Sequence, residues 1–151
     1  MSDNNYFAIQ EVLFRFMRAF DNKEWNDLHE YLLETIHCDY SSFRAEKPAE
    51  IERNAYIAKR KSDLSELKTQ HNLSNLSINI NGKLAEVKCN FAIYRFHPAF
   101  QGSKEHCFHS YGQYQFGLHE EDSGWKISSI TQKLLINDGN PELHGVTRRN
   151  K

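Results

Sequence analysis

The sequence predicts an α+β domain, with helices near the N-terminus packed on one face of a sheet built by the rest of the chain. Three observations carry this expectation. Residues 6–20 repeat apolar side chains at helical spacing. From Thr35 the period changes to two, and after Lys68 the chain reads as extended almost to its end. Within that extended region Asn81-Gly82 and Asp122-Ser123-Gly124 are turn signals that join strands into antiparallel hairpins. Helices first and long hairpin-joined strands after give two layers around one core.

The first helix places Ala8, Ile9, Val12, Leu13, Phe16, Met17 and Phe20 on one stripe, with Gln10, Glu11, Arg15 and Arg18 opposite. Asp21-Asn22-Lys23-Glu24 reads as a capping box that starts a second short helix through Trp25, Leu28 and Leu32. Ile36, Cys38 and Tyr40 share one face of a short strand closed by Ser41-Ser42. Pro48 suits a helix N-terminus, and a third helix is expected over 49–61. Behind Asn81-Gly82, residues Ala85, Val87, Cys89, Phe91 and Ile93 alternate onto one face. Phe108, Tyr114, Phe116 and Leu118 repeat the pattern within 106–118, and Trp125 to Ile136 makes the last strand.

A chain of 151 residues suits one domain. Its core is expected over about 6–136, with 137–151 a polar tail in which Arg148, Arg149 and Lys151 are solvated. The 19 basic and 20 acidic residues nearly cancel, which removes any general electrostatic reason to bind nucleic acid or an anionic membrane. No apolar run approaches the ~18 residues that span a bilayer, and Met1 to Asn5 has no leader character. Cys38, Cys89 and Cys107 are an odd set without CxxC spacing, so a reducing compartment, by default the cytoplasm, is expected. The eight histidines show neither HxH nor HExxH spacing, and no metal or cofactor is expected. Gly-rich phosphate loops and GxSxG elbows are absent.

The informative residues are polar ones carried onto apolar faces, because a buried polar group needs a partner or a use. The Ala85–Ile93 parity extends through Arg95 to His97; Ser110 shares the Phe108 face, with His106 at its open end; Tyr40 follows Cys38; Asp21 edges the first helical stripe. Each also has an ordinary reading: Asp21 as an N-cap, Tyr40 as a core tyrosine, and His71 and His97 as structural histidines.

Asp21 to Leu28, Cys38-Asp39-Tyr40-Ser41-Ser42-Phe43, Pro48-Ala49-Glu50, Leu67-Lys68-Thr69-Gln70-His71 and Arg95-Phe96-His97 occur in an order that resembles scytalone dehydratase and the SnoaL-like polyketide cyclases. Gly112-Gln113-Tyr114 and Gly124 to Ile127 are similar to the closing hairpin of SnoaL-like domains. The resemblance covers about 6–136. It implies the cone fold shared with ketosteroid isomerase and nuclear transport factor, a strongly curved sheet enclosing a pocket against the helices. By the same resemblance Asp21 and His71 form an acid/base dyad, Tyr40 holds a water against a substrate carbonyl, and His97 and Ser110 contact substrate or water. Phe20, Phe91, Phe108 and Tyr114 then line the substrate pocket. Two departures stand out. Phe20 occupies the place of a second carbonyl-polarising tyrosine, and the polar tail offers no apolar lid helix.

The expected function is a cofactor-independent lyase or isomerase acting on a small cyclic or aromatic carbonyl compound, in a chain that forms a homo-oligomer. The alternative is a non-catalytic ligand-binding module, or a small subunit resembling the beta chain of ring-hydroxylating dioxygenases. An epoxide hydrolase-like use of the same cone requires an Asp-Arg-Asp arrangement that the sequence does not reveal.

Overall fold

The computed structural model describes residues 3–100 and 104–143; the Arg148, Arg149, Lys151 cluster lies outside the described residues. Helix α1 (Asp3–Asp21) buries Ile9, Leu13, Phe16, Met17 and Phe20, the stripe read from the sequence. It ends in a Schellman motif: Glu24 N–H donates to Ala19 O at 2.8 Å and Lys23 N–H to Phe20 O at 3.2 Å. Lys23 takes the left-handed conformation usually given to glycine, with φ 58°. Its ammonium donates to Leu64 O and Leu67 O, tying this helix end to the chain entering the sheet.

The expected capping box does not form. Asp21 is the last residue of α1, and a 3-10 turn, Trp25–Glu30, starts after Glu24 without any side-chain cap bond. Leu32, expected in that helix, opens strand β1 (Leu32–Asp39) instead. The third helix also begins later than expected. Ala49–Glu52 forms edge strand β2 on β1, and α2 (Arg53–Leu64) follows, capped by the Glu52 carboxylate, which accepts from Ala55 N–H at 3.1 Å. Pairing across the sheet outweighs the local signal of Pro48 there.

The remaining strands are β3 (Lys68–Asn81), β4 (Leu84–Phe96), β5 (Phe108–Glu121) and β6 (Gly124–Gly139). They complete a six-stranded sheet in the order β2-β1-β6-β5-β4-β3. All pairs are antiparallel except β1 with β6, which is parallel and makes the sheet mixed. Gly82, with φ 62°, heads the two-residue hairpin loop between β3 and β4. Register shifts in the β3–β4 pair, where Asn75 has φ 55°, and twice in the β5–β6 pair are bulges of the kind that bend strands. At one of them a Cβ on Gly112 would lie 2.1 Å from Lys133 O, so only glycine fits.

Strand β6 runs past Ile136 to Gly139, and Leu143 beyond it is 1 % exposed, so residues 137–143 belong to the fold and not to a loose tail. Alternation on β4 and β5 buries Ala85, Val87, Cys89, Phe91 and Ile93 against Phe108, Tyr114, Phe116 and Leu118. The same inward face carries Arg95 and Ser110, both buried. No helix of the described residues is long and apolar enough to cross a membrane.

Candidate functional site

The Schellman turn leaves the Asp21 carboxylate at the C-terminus of α1, facing the first residues of β3. Thr69 Oγ1 donates to Asp21 Oδ1 at 3.0 Å, and the His71 backbone N–H reaches Oδ1 and Oδ2 at 3.1 and 2.9 Å. The His71 ring completes the arrangement, with Nδ1 2.6 Å from Asp21 Oδ1. A carboxylate only accepts, so Nδ1 carries the proton and Nε2 holds the lone pair. The His71 side chain is 7 % exposed and lies beside the Phe20 ring, centroid to centroid 5.5 Å. Burial lowers its pKa below the ordinary 6.5; the Asp21 hydrogen bond and charge oppose that shift, while the Arg95 and Lys23 charges add to it. The neutral, basic form is therefore favoured.

His71 lines a partly enclosed cavity between α1, α2 and the inner sheet face, with about 30 Å³ of free space, room for a water molecule. Phe20, Tyr40 and Tyr114 line it as well, and Asp21 reaches it through the imidazole. Met17 and His71 also border a more open cleft outside, beside Asp21 and Thr69. The dyad thus stands between the interior and the surface.

Tyr40 meets a partner that the sequence did not suggest. Its hydroxyl lies 2.8 Å from that of Tyr56 on α2, and both phenols are fully buried, with pKa values pushed up first by desolvation. Tyr56 repeats with Ile57, Arg60 and Leu64 at helical spacing, the one signal that could have marked it.

Four expected site residues lie elsewhere. His97 follows the end of β4, where Pro98 starts a turn; its Nδ1 accepts from Ala99 N–H at 3.1 Å, and it is not among the residues lining the cavity. Parity fails there because the strand has stopped. Ser110 is buried behind the cavity wall, accepting from Arg95 Nη1 at 2.9 Å and donating to Asn137 Oδ1 at 2.7 Å. Phe91 packs on Tyr114 at 4.7 Å, and Phe108 lies 5.1 Å from the Arg95 guanidinium. These three support the wall from behind.

Beyond Arg95, the wall also holds polar and charged groups that the sequence reading passed over. Arg44, Arg60, Asp63, Arg95 and Gln132 all line the cavity. Asp63 Oδ2 is 3.7 Å from Arg44 Nη1 and 3.6 Å from Arg60 Nη2. Among the described residues no three His, Cys, Asp or Glu side chains converge as a metal site.

Solved structures resemble this fold closely while sharing little sequence. A protein from Kribbella flavida superposes with a TM-score of 0.86 at 17% identity, over 97% of this chain and 98% of that one. A protein from Novosphingobium aromaticivorans provisionally named a scytalone dehydratase gives 0.74 at 19% identity, over 93% of this chain and 97% of that one. An NTF2-like protein with a cystatin-like fold, also from Novosphingobium aromaticivorans, gives 0.69 at 17% identity, over 87% and 82%. No curated protein matches the sequence. The model of the SnoaL-like domain matches residues 4–131, nearly the whole chain. With its helices and mixed sheet arranged as in the NTF2-like structures, the chain belongs to the SnoaL-like domain family.

Proposed function

We propose that the chain is a cofactor-independent acid/base enzyme that dehydrates or enolises a small cyclic or aromatic carbonyl compound. The observation that carries this reading is the Asp21–His71 pair, 2.6 Å apart, with its ring at the wall of a partly enclosed cavity. His71 Nε2 takes the proton α to the substrate carbonyl, and the C–H electron pair moves into a C=C bond. Asp21 keeps Nδ1–H in place and stabilises the imidazolium that forms. The hydroxyl pair of Tyr40 and Tyr56 supplies a donor to the carbonyl oxygen as negative charge grows on it. The imidazolium then returns its proton to a β-hydroxyl, which leaves as water in a dehydration, or to carbon in an isomerisation.

A free space of about 30 Å³ is smaller than a ring, so binding requires side chains to move. Met17, unbranched and placed between cavity and outer cleft, is the adaptable one. The test is deuterium exchange at the α-carbon of a panel of cyclic ketones, followed by NMR in D₂O. The wild type should accelerate exchange for some member, and His71→Asn should lose that acceleration while melting normally. Equal exchange by the two proteins would remove the proposal. A homo-oligomer in a reducing compartment completes the reading; light scattering well above 17.7 kDa is the expected result.

A further inference from the structure

The cavity wall carries more positive than negative charge. Three guanidinium groups line it, from Arg44, Arg60 and Arg95, and Asp63 is the carboxylate among them. Arg44 and Arg60 lie within 4 Å of Asp63, and Arg44 is also 3.8 Å from Glu46. Arg95 stands apart. It is 2 % exposed, and among the described residues no carboxylate comes within ion-pairing distance of it. Its Nη1 donates to Ser110 Oγ at 2.9 Å and to Phe108 O at 3.4 Å, and its plane lies near the rings of Phe43 and Phe108, at 5.3 and 5.1 Å. These contacts fix the group without neutralising it. Arg95 Nε and Arg60 Nε are buried without an acceptor, and Gln132 Oε1 is buried without a donor.

A buried cation held rigidly and left uncompensated is expensive in a folded protein unless something else supplies the negative charge. Burial and the charges of Arg44 and Arg60 push the Arg95 pKa down to about 9, which still leaves it protonated at neutral pH. The aromatic rings of Phe16, Phe20, Tyr40 and Tyr114 share the cavity, so its apolar part suits a ring and its guanidinium part suits a planar oxyanion.

We infer that the ligand of this cavity is an organic anion, a cyclic or aromatic compound bearing a carboxylate that pairs with Arg95 inside the arginine cluster. The inference deepens the acid/base reading by giving its substrate a class and an anchor. The carboxylate would pair with Arg95, beside Phe43 and Phe108, while the carbonyl faces the Tyr40–Tyr56 pair and His71.

Calorimetric titration of the full chain with benzoate, benzamide and sulfate tests it, because benzamide keeps the shape of benzoate without its charge, and sulfate keeps charge without the ring. Benzoate should bind about tenfold or more tightly than either. Arg95→Met should lose that preference while melting no lower than the wild type, since it removes an uncompensated buried charge. Should that variant fail to fold, Arg95→Lys keeps the charge without the fork and should weaken benzoate alone. Benzamide or sulfate binding as well as benzoate, no benzoate binding at millimolar concentration, or unchanged benzoate binding in both Arg95 variants would overturn the inference. A wild type that prefers benzoate and shows no α-proton exchange counts against the catalytic reading alone, and a wild type that exchanges α-protons without preferring benzoate counts against this one.

Discussion

Asp21 grips His71 at both ends of the residue: its carboxylate accepts from the backbone N–H at 2.9 Å and from ring Nδ1 at 2.6 Å. Backbone and imidazole are therefore oriented by one side chain, which fixes the tautomer as well as the position. Asp21→Asn can offer an amide N–H where the ring needs an acceptor. Proton abstraction should fall about 10²–10⁴-fold, as when an orienting carboxylate is lost from other acid/base pairs. Exchange rates at the substrate α-carbon, with circular dichroism as the folding control, check this.

The lowered pKa of His71 has a definite sign in pH dependence. The unfolded chain holds the proton up to its ordinary value of 6.5, while the folded chain releases it at lower pH. This group's contribution to stability is whole above 6.5 and is lost as the pH falls through the folded value. NMR titration of the His71 ring should give a midpoint below 6.5, and a midpoint at or above it would mean that the Asp21 contact outweighs the burial of the ring.

The tyrosine pair should divide its work unequally. Tyr40→Phe removes the donor assigned to the carbonyl and should cost about 10²–10³ in kcat. Tyr56→Phe removes only the hydroxyl that positions Tyr40, a loss of about tenfold, corresponding to one ordinary hydrogen bond. Equal effects would mean that both hydroxyls reach the substrate.

Asp63 is 1 % exposed and close to two guanidinium groups. Asp63→Asn leaves the arginines facing one another and should destabilise the fold by about 3–5 kcal/mol, read from urea unfolding. Addition of benzoate should recover part of that loss, because a bound anion restores the missing charge.

Cys38 and Cys89 should resist alkylation by iodoacetamide at neutral pH in the native protein. Burial pushes both thiols up to about 12, so almost no thiolate is present. Labelling of either at the rate of a free thiol would show that the core opens readily.

The sequence made the regular elements legible because their apolar periods are long: five of the seven positions read on α1, and all five on β4, are buried. It was less legible where an element ends. The capping box was misread because Asp21 serves a strand almost fifty residues away, a partner that no local pattern announces. His97 was carried inward by a parity that Pro98 interrupts. Asp21, His71 and Tyr40 stand out through ordered resemblance to a family, but Tyr56, Arg60 and Asp63 ride on a helix that starts four residues later than the sequence suggests. Arg95 was in view as a step in the alternation, and its lack of a counter-charge only becomes visible once the neighbouring strands are in place.

The left-handed Lys23 turn makes the length of α1 a chemical variable. One residue added to or removed from that helix would swing its last side chain by roughly 100° about the axis, while the apolar stripe could slip and still find a core. A single-codon insertion between Phe16 and Asp21 should therefore give a protein that folds but has a blind imidazole. Neutral drift among related chains is then free to repaint the pocket, and not to change the count of residues leading up to that carboxylate.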